Sequence, residues 1–297
     1  MHVIHSVHEM HNWVFMLKKS GKKIGFVPTM GYLHKGHLEL LKLGRGQCDV
    51  LVASIFVNPT QFAPGEDYNG YPRDLKRDME LAQWAEVDCL FLPDPAEIYP
   101  PGYRTFIEVE SLSENLCGAF RPGHFRGVAT VVAKLFNIVA PDAAFFGEKD
   151  AQQLLIIRKM VEDLNFPVKV VGCPTVRESD GLAMSSRNVY LADEERAQAT
   201  ALHRSLLKAK EMVAGGETDA KKVLAAMREV LSEAPAVQVE YIQAVDVATL
   251  QDVSRIVGKV LIAMAVHVGK ARLIDNIMLD TEVRGDAAKT AEMHAPH

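Results

Sequence analysis

The sequence predicts an α/β fold in which a Rossmann-like, doubly wound parallel sheet is followed by a smaller C-terminal α+β domain. Apolar, strand-like runs alternate with helical patterns through the first 175 of 297 residues, an order that is typical of βαβ units. The run "VLVASIFVNP" at 50–59 is almost entirely apolar, as expected for a strand covered by helices on both faces. After about residue 180, two helical stretches precede three strand-like runs, which indicates a separate antiparallel sheet.

The parallel part begins with "HVIHS" as a short strand, and Ser6 and Glu9 form a capping box for the helix that follows. Because ligands of such sheets bind beyond the carboxyl ends of the strands, the loops at 28–36, 58–71 and 147–150 should gather at one edge. The other strands are predicted at 23–28, 50–59, 88–93, 143–147 and 167–174, and the helices at 37–47, 72–87, 127–139 and 150–164. Pro72 is expected at the start of its helix.

The second part of the chain has a different order of elements. Helices are predicted at 193–216 and 218–234, followed by the strands "VQVEYIQAVD", "VLIAMAVHV" and "ARLIDNIML". We therefore place a parallel-sheet domain at 1–178 and an α+β domain at 179–283. Residues 284–297 lack apolar periodicity and are predicted to form a disordered tail.

Composition and charge exclude several classes of protein. Hydrophobic residues make up 48% and charged residues 24%, which is ordinary for a globular protein with a proper core. The net charge of −5 argues against a surface that coats nucleic acid, although it is compatible with a basic pocket for a small anion. Secretory and membrane-spanning segments are not evident, and the four scattered cysteines form no C-x-x-C pair, so a cytoplasmic protein is expected.

The histidines near the N-terminus do not predict a metal site. His2 and His5 would point to opposite faces of a strand, while His8 and His11 would lie on the following helix. Because these four side chains cannot converge on one ion, no metal-ligating residue is predicted.

The stretch "PTMGYLHKGHLELL" leaves a strand and enters a helix. A helix N-terminus presents unpaired N–H groups and a partial positive charge, which favours phosphate binding. Gly31 and Gly36 let the backbone bend and approach a ligand closely. His34 and His37 can donate hydrogen bonds to phosphoryl oxygens as negative charge builds, charge-assisted if the rings are protonated. An isolated H-x-G-H could equally be two histidines near a surface loop.

Two further loops carry groups suited to a nucleotide. In "FFGEKDAQQL", Lys149 supplies a compact positive charge, while Asp150 could accept from ribose hydroxyls or only cap the next helix. In "RESDGLAMSSRN", Ser185, Ser186 and Arg187 could wrap a triphosphate. Taken alone, this last segment could also be a polar turn between domains.

Two glutamines suggest an acid pocket. Gln61 follows a strand in "FVNPTQF", and Gln153 lies on the first turn of the helix after Lys149. An amide can read a hydroxyl and a carboxylate together without adding charge. The segment "RPGHFRG" at 121–127 adds two arginines and a histidine beside a helix start, which would suit another anion.

Together these segments resemble the pantothenate synthetase (pantoate–β-alanine ligase) family. The resemblance runs almost without gaps from about residue 20 to 195 and more loosely to about residue 283. H-x-G-H alone would indicate only the wider nucleotidyltransferase superfamily, whereas five blocks in order and spacing are specific. The blocks are "PTMGYLHKGHLELL", "SIFVNPTQF", "EDYNGYPRDLKRD", "LCGAFRPGHFRGVATVVAKLFNIVAPDAAFFGEKDAQQL" and "VRESDGLAMSSRNVYL".

The resemblance implies the roles of individual residues. His37, His34 and Lys149 would be catalytic, with His37 as proton donor, while Gln61 would contact pantoate and β-alanine, and Gln153 pantoate. The implied ATP-binding residues are Met30, Gly31, Tyr32, Leu33, His34, Lys35, Gly36, His37, Gly147, Glu148, Lys149, Asp150, Val176, Met184, Ser185, Ser186 and Arg187. The family further implies a cytoplasmic homodimer that uses ATP and Mg²⁺, with the C-terminal domain as a lid.

The implied reaction is the condensation of pantoate with β-alanine through pantoyl-adenylate. Mg²⁺ would be held mainly by the phosphates. Two alternatives remain at this stage: a nucleotidyltransferase that acts on a phosphate ester, and a non-catalytic nucleotide sensor. The first does not need Gln61 and Gln153 as a pair, and the second would tolerate loss of the histidines or Lys149.

Overall fold

The computed structural model describes residues 1–281. It contains the predicted sheet, with six parallel strands in the order β1-β4-β3-β2-β5-β6. The strands are β1 (His2–Ile4), β2 (Ile24–Thr29), β3 (Val50–Ile55), β4 (Cys89–Phe91), β5 (Ala143–Gly147) and β6 (Lys169–Cys173). The last two residues of the predicted C-terminal domain and the predicted tail at 284–297 lie outside the described residues.

Helices cover both faces of this sheet, as the apolar strands predict. The helices of this part are α1 (Val7–Lys19), α2 (Lys35–Arg45), α3 (Leu75–Trp84), α4 (Pro95–Ile98), α5 (Cys117–Phe120), α6 (His124–Val139) and α7 (Ala151–Asp163). Adjacent strand residues point to opposite faces. Phe145 packs with Val27 against α2 and α3, whereas Phe146 packs with Phe26 against α1, α6 and α7.

The strand order reverses between β2 and β5. Strands β3 and β4 extend the sheet from β2 in one direction, and β6 extends it from β5 in the other. A crevice forms at such a switch point, beyond the carboxyl ends of the two strands. The H-K-G-H stretch follows β2 and the Gly147–Asp150 segment follows β5, so both border the crevice.

The C-terminal part is the predicted antiparallel sheet with its helices. Strands β7 (Val237–Asp246), β8 (Gly258–Val268) and β9 (Ala271–Thr281) pair in that order. One face packs against α9 (Ala201–Ala214) and α10 (Ala220–Ser232). The other face packs against the N-terminal part, in a mixed core that includes Ile156 and Leu261. The division at residues 178 and 179 stays a prediction.

Several predicted helix limits are wrong. The helix predicted at 127–139 begins at His124, directly after Gly123, whose backbone is left-handed. The helix predicted at 37–47 begins at Lys35, because the His34 side chain caps it. The helix predicted at 72–87 begins at Leu75 after the cap Asp74, so Pro72 precedes it. The single helix predicted at 193–216 is two, α8 (Asp193–Ala199) and α9, separated at Thr200.

At the N-terminus, Ser6 caps α1 by accepting from the backbone N–H of Glu9, which is one half of the predicted capping box. None of the helices within residues 1–281 combines the length and apolar character that a transmembrane span requires.

Gly127 on α6 lets the turn Pro59–Gln61 pack close to the helix, and this contact generates a prediction. A methyl group at Gly127 would lie 2.6 Å from the carbonyl carbon of Thr60 and 2.7 Å from the backbone nitrogen of Gln61. Gly127→Ala should therefore displace the turn and lower the free energy of unfolding by about 1–3 kcal/mol. Denaturant titration measures this change.

Gly46 provides the control. Its backbone is helical, and the nearest atom to an added methyl group is 3.6 Å away. Gly46→Ala should leave the free energy of unfolding within about 0.5 kcal/mol of the parent. Equal stability of the two variants would show that the turn does not press on α6.

Candidate active site

A cavity of about 230 Å³ lies at the switch point between β2 and β5. Pro28, Thr29, Phe146 and Gly147 line it from the ends of these two strands. It brings together most of the residues singled out in the sequence: Met30, His34, Gly36, His37, Gln61, Gly147, Lys149, Asp150, Gln153, Val176, Met184, Ser185, Ser186 and Arg187.

Five of the residues assigned to the ATP site do not line this cavity. They are Gly31, Tyr32, Leu33, Lys35 and Glu148. Leu33 is buried in the protein, and Lys35 is exposed at the start of α2. Gly31 and Tyr32 have left-handed backbones, with φ of 82° and 52°, so they shape the turn rather than the wall.

The start of α2 fixes the tautomers of both histidines. His34 Nδ1 accepts from the backbone N–H of Gly36 at 3.1 Å, and His37 Nδ1 accepts from that of His34 at 3.2 Å. A neutral imidazole that accepts at Nδ1 carries its proton on Nε2. The two rings, whose centroids are 4.1 Å apart, therefore offer one Nε2–H donor each.

Both histidines are held neutral. Burial, with Lys149 nearby, lowers the pKa of His34 to about 4. Burial, together with His34 and Lys149, lowers the pKa of His37 well below its ordinary value. The protonated histidines considered from the sequence are therefore not the state of the protein without a ligand. A polyanion beside the rings would raise both pKa values.

Asp78 holds the turn that precedes α2, and the sequence reasoning missed it. Its carboxylate is 1% exposed and accepts from the backbone N–H groups of Tyr32 at 2.7 Å and Leu33 at 2.6 Å. Burial raises its pKa. The only sequence signal is an acid on the same side of α3 as the buried Ala82, four residues later.

Arg187 is already engaged by a carboxylate. Its Nε and Nη2 donate to the two oxygens of Asp67 at 3.1 and 3.0 Å. Ser185 caps the turn Ser186–Tyr190 by accepting from the backbone N–H of Arg187. Phosphate binding by this guanidinium would therefore share or replace the contact with Asp67.

Gln61 is fixed from several sides. Asn58 Nδ2 donates to its Oε1 at 3.0 Å, and its side chain is 8% exposed in total. Its backbone carbonyl accepts from His124 Nδ1 at 2.8 Å and from Arg121 Nη2 at 3.3 Å. The network holds the side-chain amide of Gln61 at the cavity wall. The sequence reasoning did not single out Asn58.

The basic groups of the segment at 121–127, expected from the sequence to suit an anion, already have partners within the protein. Arg121 makes a two-point ion pair with Glu66, at 2.7 and 2.6 Å. Burial and the neighbouring Arg121 lower the pKa of His124 to about 4, so its ring is neutral. Arg126 packs its guanidinium over the ring of Phe106 at 3.8 Å. These groups support Gln61 and the surrounding loops instead.

A second cavity of about 470 Å³ adjoins the first and reaches the C-terminal sheet. The two share Lys149, Asp150, Gln153, Ser185 and Arg187. Residues of β8 and β9, including Met264 and Asn276, line its far side. The shared residues thus lie between the two parts of the chain.

The fold and the capped H-K-G-H helix start define a member of the H-x-G-H nucleotidyltransferase superfamily. The family model for pantoate-beta-alanine ligase matches residues 2–278. The chain is 55% identical over 280 residues to the pantothenate synthetase of Heliobacterium modesticaldum, covering 94% of this chain and 100% of that protein. It is 56% identical over 279 residues to that of Thermosipho melanesiensis, covering 94% and 99%.

Solved structures agree with these sequence relatives. Pantothenate synthetase from Thermus thermophilus superimposes with a TM-score of 0.89 at 49% identity, covering 93% of this chain and 99% of that chain. Pantoate-beta-alanine ligase from Francisella tularensis, complexed with beta-gamma ATP and beta-alanine, gives a TM-score of 0.76 at 34% identity, covering 94% and 97%. The chain belongs to the pantoate–β-alanine ligase family.

The lowered pKa values of the histidines predict a pH dependence of stability. Between pH 6.5 and about 4, His34 binds a proton in the unfolded chain but not in the folded one. Stability contributed by the neutral ring is therefore present above pH 6.5 and is lost as the pH falls towards 4. His34→Asn keeps an N-cap acceptor but does not titrate. Its unfolding midpoint should fall less steeply over this range than that of the parent.

Carboxylates titrate in both proteins, so only the difference between the two pH profiles is diagnostic. Thermal unfolding at half-unit pH steps measures it. Parallel profiles would show that the folded protein does not exclude the proton from His34.

Proposed function

We propose that this enzyme joins pantoate to β-alanine in two steps, through pantoyl-adenylate. In the first step a pantoate carboxylate oxygen bonds to the α-phosphorus of ATP, and the bond to the β-phosphate oxygen breaks, releasing pyrophosphate. In the second step the amine of β-alanine attacks the activated carbonyl, loses a proton and displaces AMP. The products are pantothenate, AMP and diphosphate.

One observation carries this proposal: two neutral Nε2–H donors, a lysine and two glutamine side chains line one cavity. His34 and His37 donate to the α-phosphoryl oxygens, where negative charge grows during the attack. Lys149 adds positive charge at the same group. The proton-donor role implied for His37 is therefore that of a hydrogen-bond donor through Nε2–H, and the proton stays on the neutral ring. Donors fixed by their own caps need no rearrangement at the moment of reaction.

Gln61 and Gln153 bind pantoate in this scheme. Both side chains line the cavity, Gln61 from the turn after β3 and Gln153 from the first turn of α7. Their amides can pair with the hydroxyl and carboxylate groups of pantoate while leaving the carboxylate charge for attack. Gln61 also contacts β-alanine, which reaches the carbonyl from the larger cavity.

The remaining residues assigned to the nucleotide hold its other parts. Ser185, Ser186 and Arg187 bind the β- and γ-phosphates, and Asp150 binds the ribose. Val176 and Met184 lie on the wall beyond the end of β6 and form the base site. Met30, Gly36 and Gly147 line the cavity beside the α-phosphate.

Mg²⁺ would be held mainly by the phosphates of the nucleotide. Within residues 1–281, no three or more His, Cys, Asp or Glu side chains are grouped to hold a metal ion. In nucleotide enzymes Mg²⁺ usually keeps several waters and binds through the substrate phosphates. It would neutralise charge on the departing pyrophosphate.

We further propose that the enzyme works in the cytoplasm as a homodimer, as the sequence resemblance implies. All four cysteines are buried and unpaired, which suits a reducing compartment. Sedimentation velocity would measure the assembly state.

The two-step reaction predicts isotope exchange. Because the first step needs pantoate but not β-alanine, labelled pyrophosphate should exchange into ATP with pantoate present and β-alanine absent. Lys149→Ala should lower the exchange rate on the order of 10²–10³-fold, the effect of deleting a donor to a developing anion. Lys159→Ala is the matched control, since Lys159 lies on the outer side of α7 with exposed acidic partners.

Tightly held adenylate could suppress exchange, so rapid-quench detection of pantoyl-adenylate in a single turnover is the second measurement. If neither signal occurs in protein that still makes pantothenate, the adenylate route is wrong. The same outcome would favour direct attack or a phosphorylated intermediate.

Gln153 and its neighbour Gln152 should behave differently on truncation. Gln153→Ala should raise the KM for pantoate about tenfold, the scale of one lost hydrogen bond to a charged group, with little change in the KM for ATP. Gln152 instead donates to the backbone carbonyls of Leu112 and Asn115 at 2.9 and 2.8 Å. Gln152→Ala should lower the unfolding temperature without selectivity between substrates. An equal rise in the KM for pantoate and the KM for ATP in Gln153→Ala would show that Gln153 does not bind pantoate specifically.

A further inference from the structure

Two adjacent residues of β9 connect the C-terminal sheet to both nucleotide loops. The side-chain amide of Asn276 donates to the backbone carbonyls of Glu148 at 3.0 Å and Lys149 at 2.8 Å. Asp275 accepts from Arg177 Nη1 at 2.6 Å and Nη2 at 2.9 Å. These contacts join positions 98 to 128 residues apart in sequence.

The amide of Asn276 is suited to fixing the backbone at Lys149. Its two N–H groups can serve two successive carbonyls of the turn Glu148–Asp150. Lysine carries a compact charge on a flexible stem, so the position of its ammonium depends on where its backbone is held. The contact with Asn276 therefore restricts the range that the Lys149 charge can reach.

Asp275, the neighbour of Asn276 on β9, holds the second nucleotide loop, at 177–187. It is 2% exposed and holds Arg177, which begins the segment that ends in Ser185–Arg187. Arg177 Nη1 also donates to the carbonyl of Gly181 at 3.1 Å, within that segment. Asp275 Oδ1 accepts from the backbone N–H of Asn276 at 2.8 Å, so the two contacts share one rigid stretch of strand.

We propose that Asn276 is a positioning residue for Lys149, and that Asp275 and Asn276 together set the spacing between the two nucleotide loops. The inference rests on the proposed role of Lys149 in the first half-reaction. Asn276 contacts the backbone of Glu148 and Lys149, and it acts on the first half-reaction by holding that backbone. The C-terminal sheet thus contributes to the geometry of adenylate formation.

A double-mutant cycle on pyrophosphate exchange tests this inference. Asn276→Ala should lower the exchange rate at saturating ATP by about 10–100-fold, since small misplacements of a reacting group have effects of this size. In the Lys149→Ala background the same change should lower it less than about threefold, because two residues that act as a unit are not additive. Pyrophosphate release from ATP and pantoate with enzyme in excess, followed for hours, measures the first half-reaction of the slow variants.

Asn276→Asp is the second variant, since it keeps the shape of the side chain but sets a carboxylate against two carbonyl oxygens. It should lose at least as much activity as Asn276→Ala. Gln243→Ala is the matched control: Gln243 also donates between the two parts of the chain, to Asn115 Oδ1 at 3.0 Å, but away from Lys149. Its exchange rate should stay within about threefold of the parent.

The outcomes separate the inference from the proposed function. Equal losses from Asn276→Ala in both backgrounds, or no loss in the parent, would overturn the positioning role while leaving Lys149 catalytic. Full exchange by Lys149→Ala would overturn the role of the lysine, and the inference with it. Loss of exchange by Gln243→Ala comparable to that of Asn276→Ala would assign the effect to general docking of the sheet.

Discussion

The site depends on the short length over which β2 and β5 are paired. Only Gly25 with Ala143 and Phe26 with Ala144 are in register, although β2 continues to Thr29 and β5 to Gly147. Pro28 has no N–H to extend the ladder. Beyond the paired residues, both strand ends line the cavity, and the strand order reverses at the same place. The reversal leaves a crevice there because consecutive connections depart in opposite directions.

At the head of α2, capping and catalysis use the same side chains. An aspartate would cap this helix as well, but its carboxylate would leave no donor directed away from the backbone. An imidazole accepts the backbone N–H on one nitrogen and donates on the other. Burial and the charge of Lys149 keep both rings neutral, so their tautomer is defined before any substrate arrives.

The sequence was sufficient for features that depend on local pattern. Alternating apolar runs predicted the parallel sheet, and strand-to-helix loops with glycine and charge predicted which segments meet at its carboxyl edge. It was insufficient where a side chain acts on a distant backbone or ion. Asp78 holds a turn 45 residues away, and Arg187 pairs with Asp67 across 120 residues. Neither contact produces a periodic pattern in the sequence. In each case the partner depends on how the loops fold over the crevice.

The mixed core between the two sheets limits how reactants can enter. Phe125 and Ile156 from the N-terminal part pack with Tyr241, Leu261 and Ala265, all buried. Swinging the C-terminal sheet away as a hinged domain would expose this surface at about 25 cal/mol for each Å². The ion pairs of Glu66 and Asp67 with arginines are half-buried and can exchange partners at lower cost. Movement of the loop at 62–71 would break these two ion pairs while the mixed core stays packed. We therefore expect reactants to enter past this loop rather than by displacement of the C-terminal sheet.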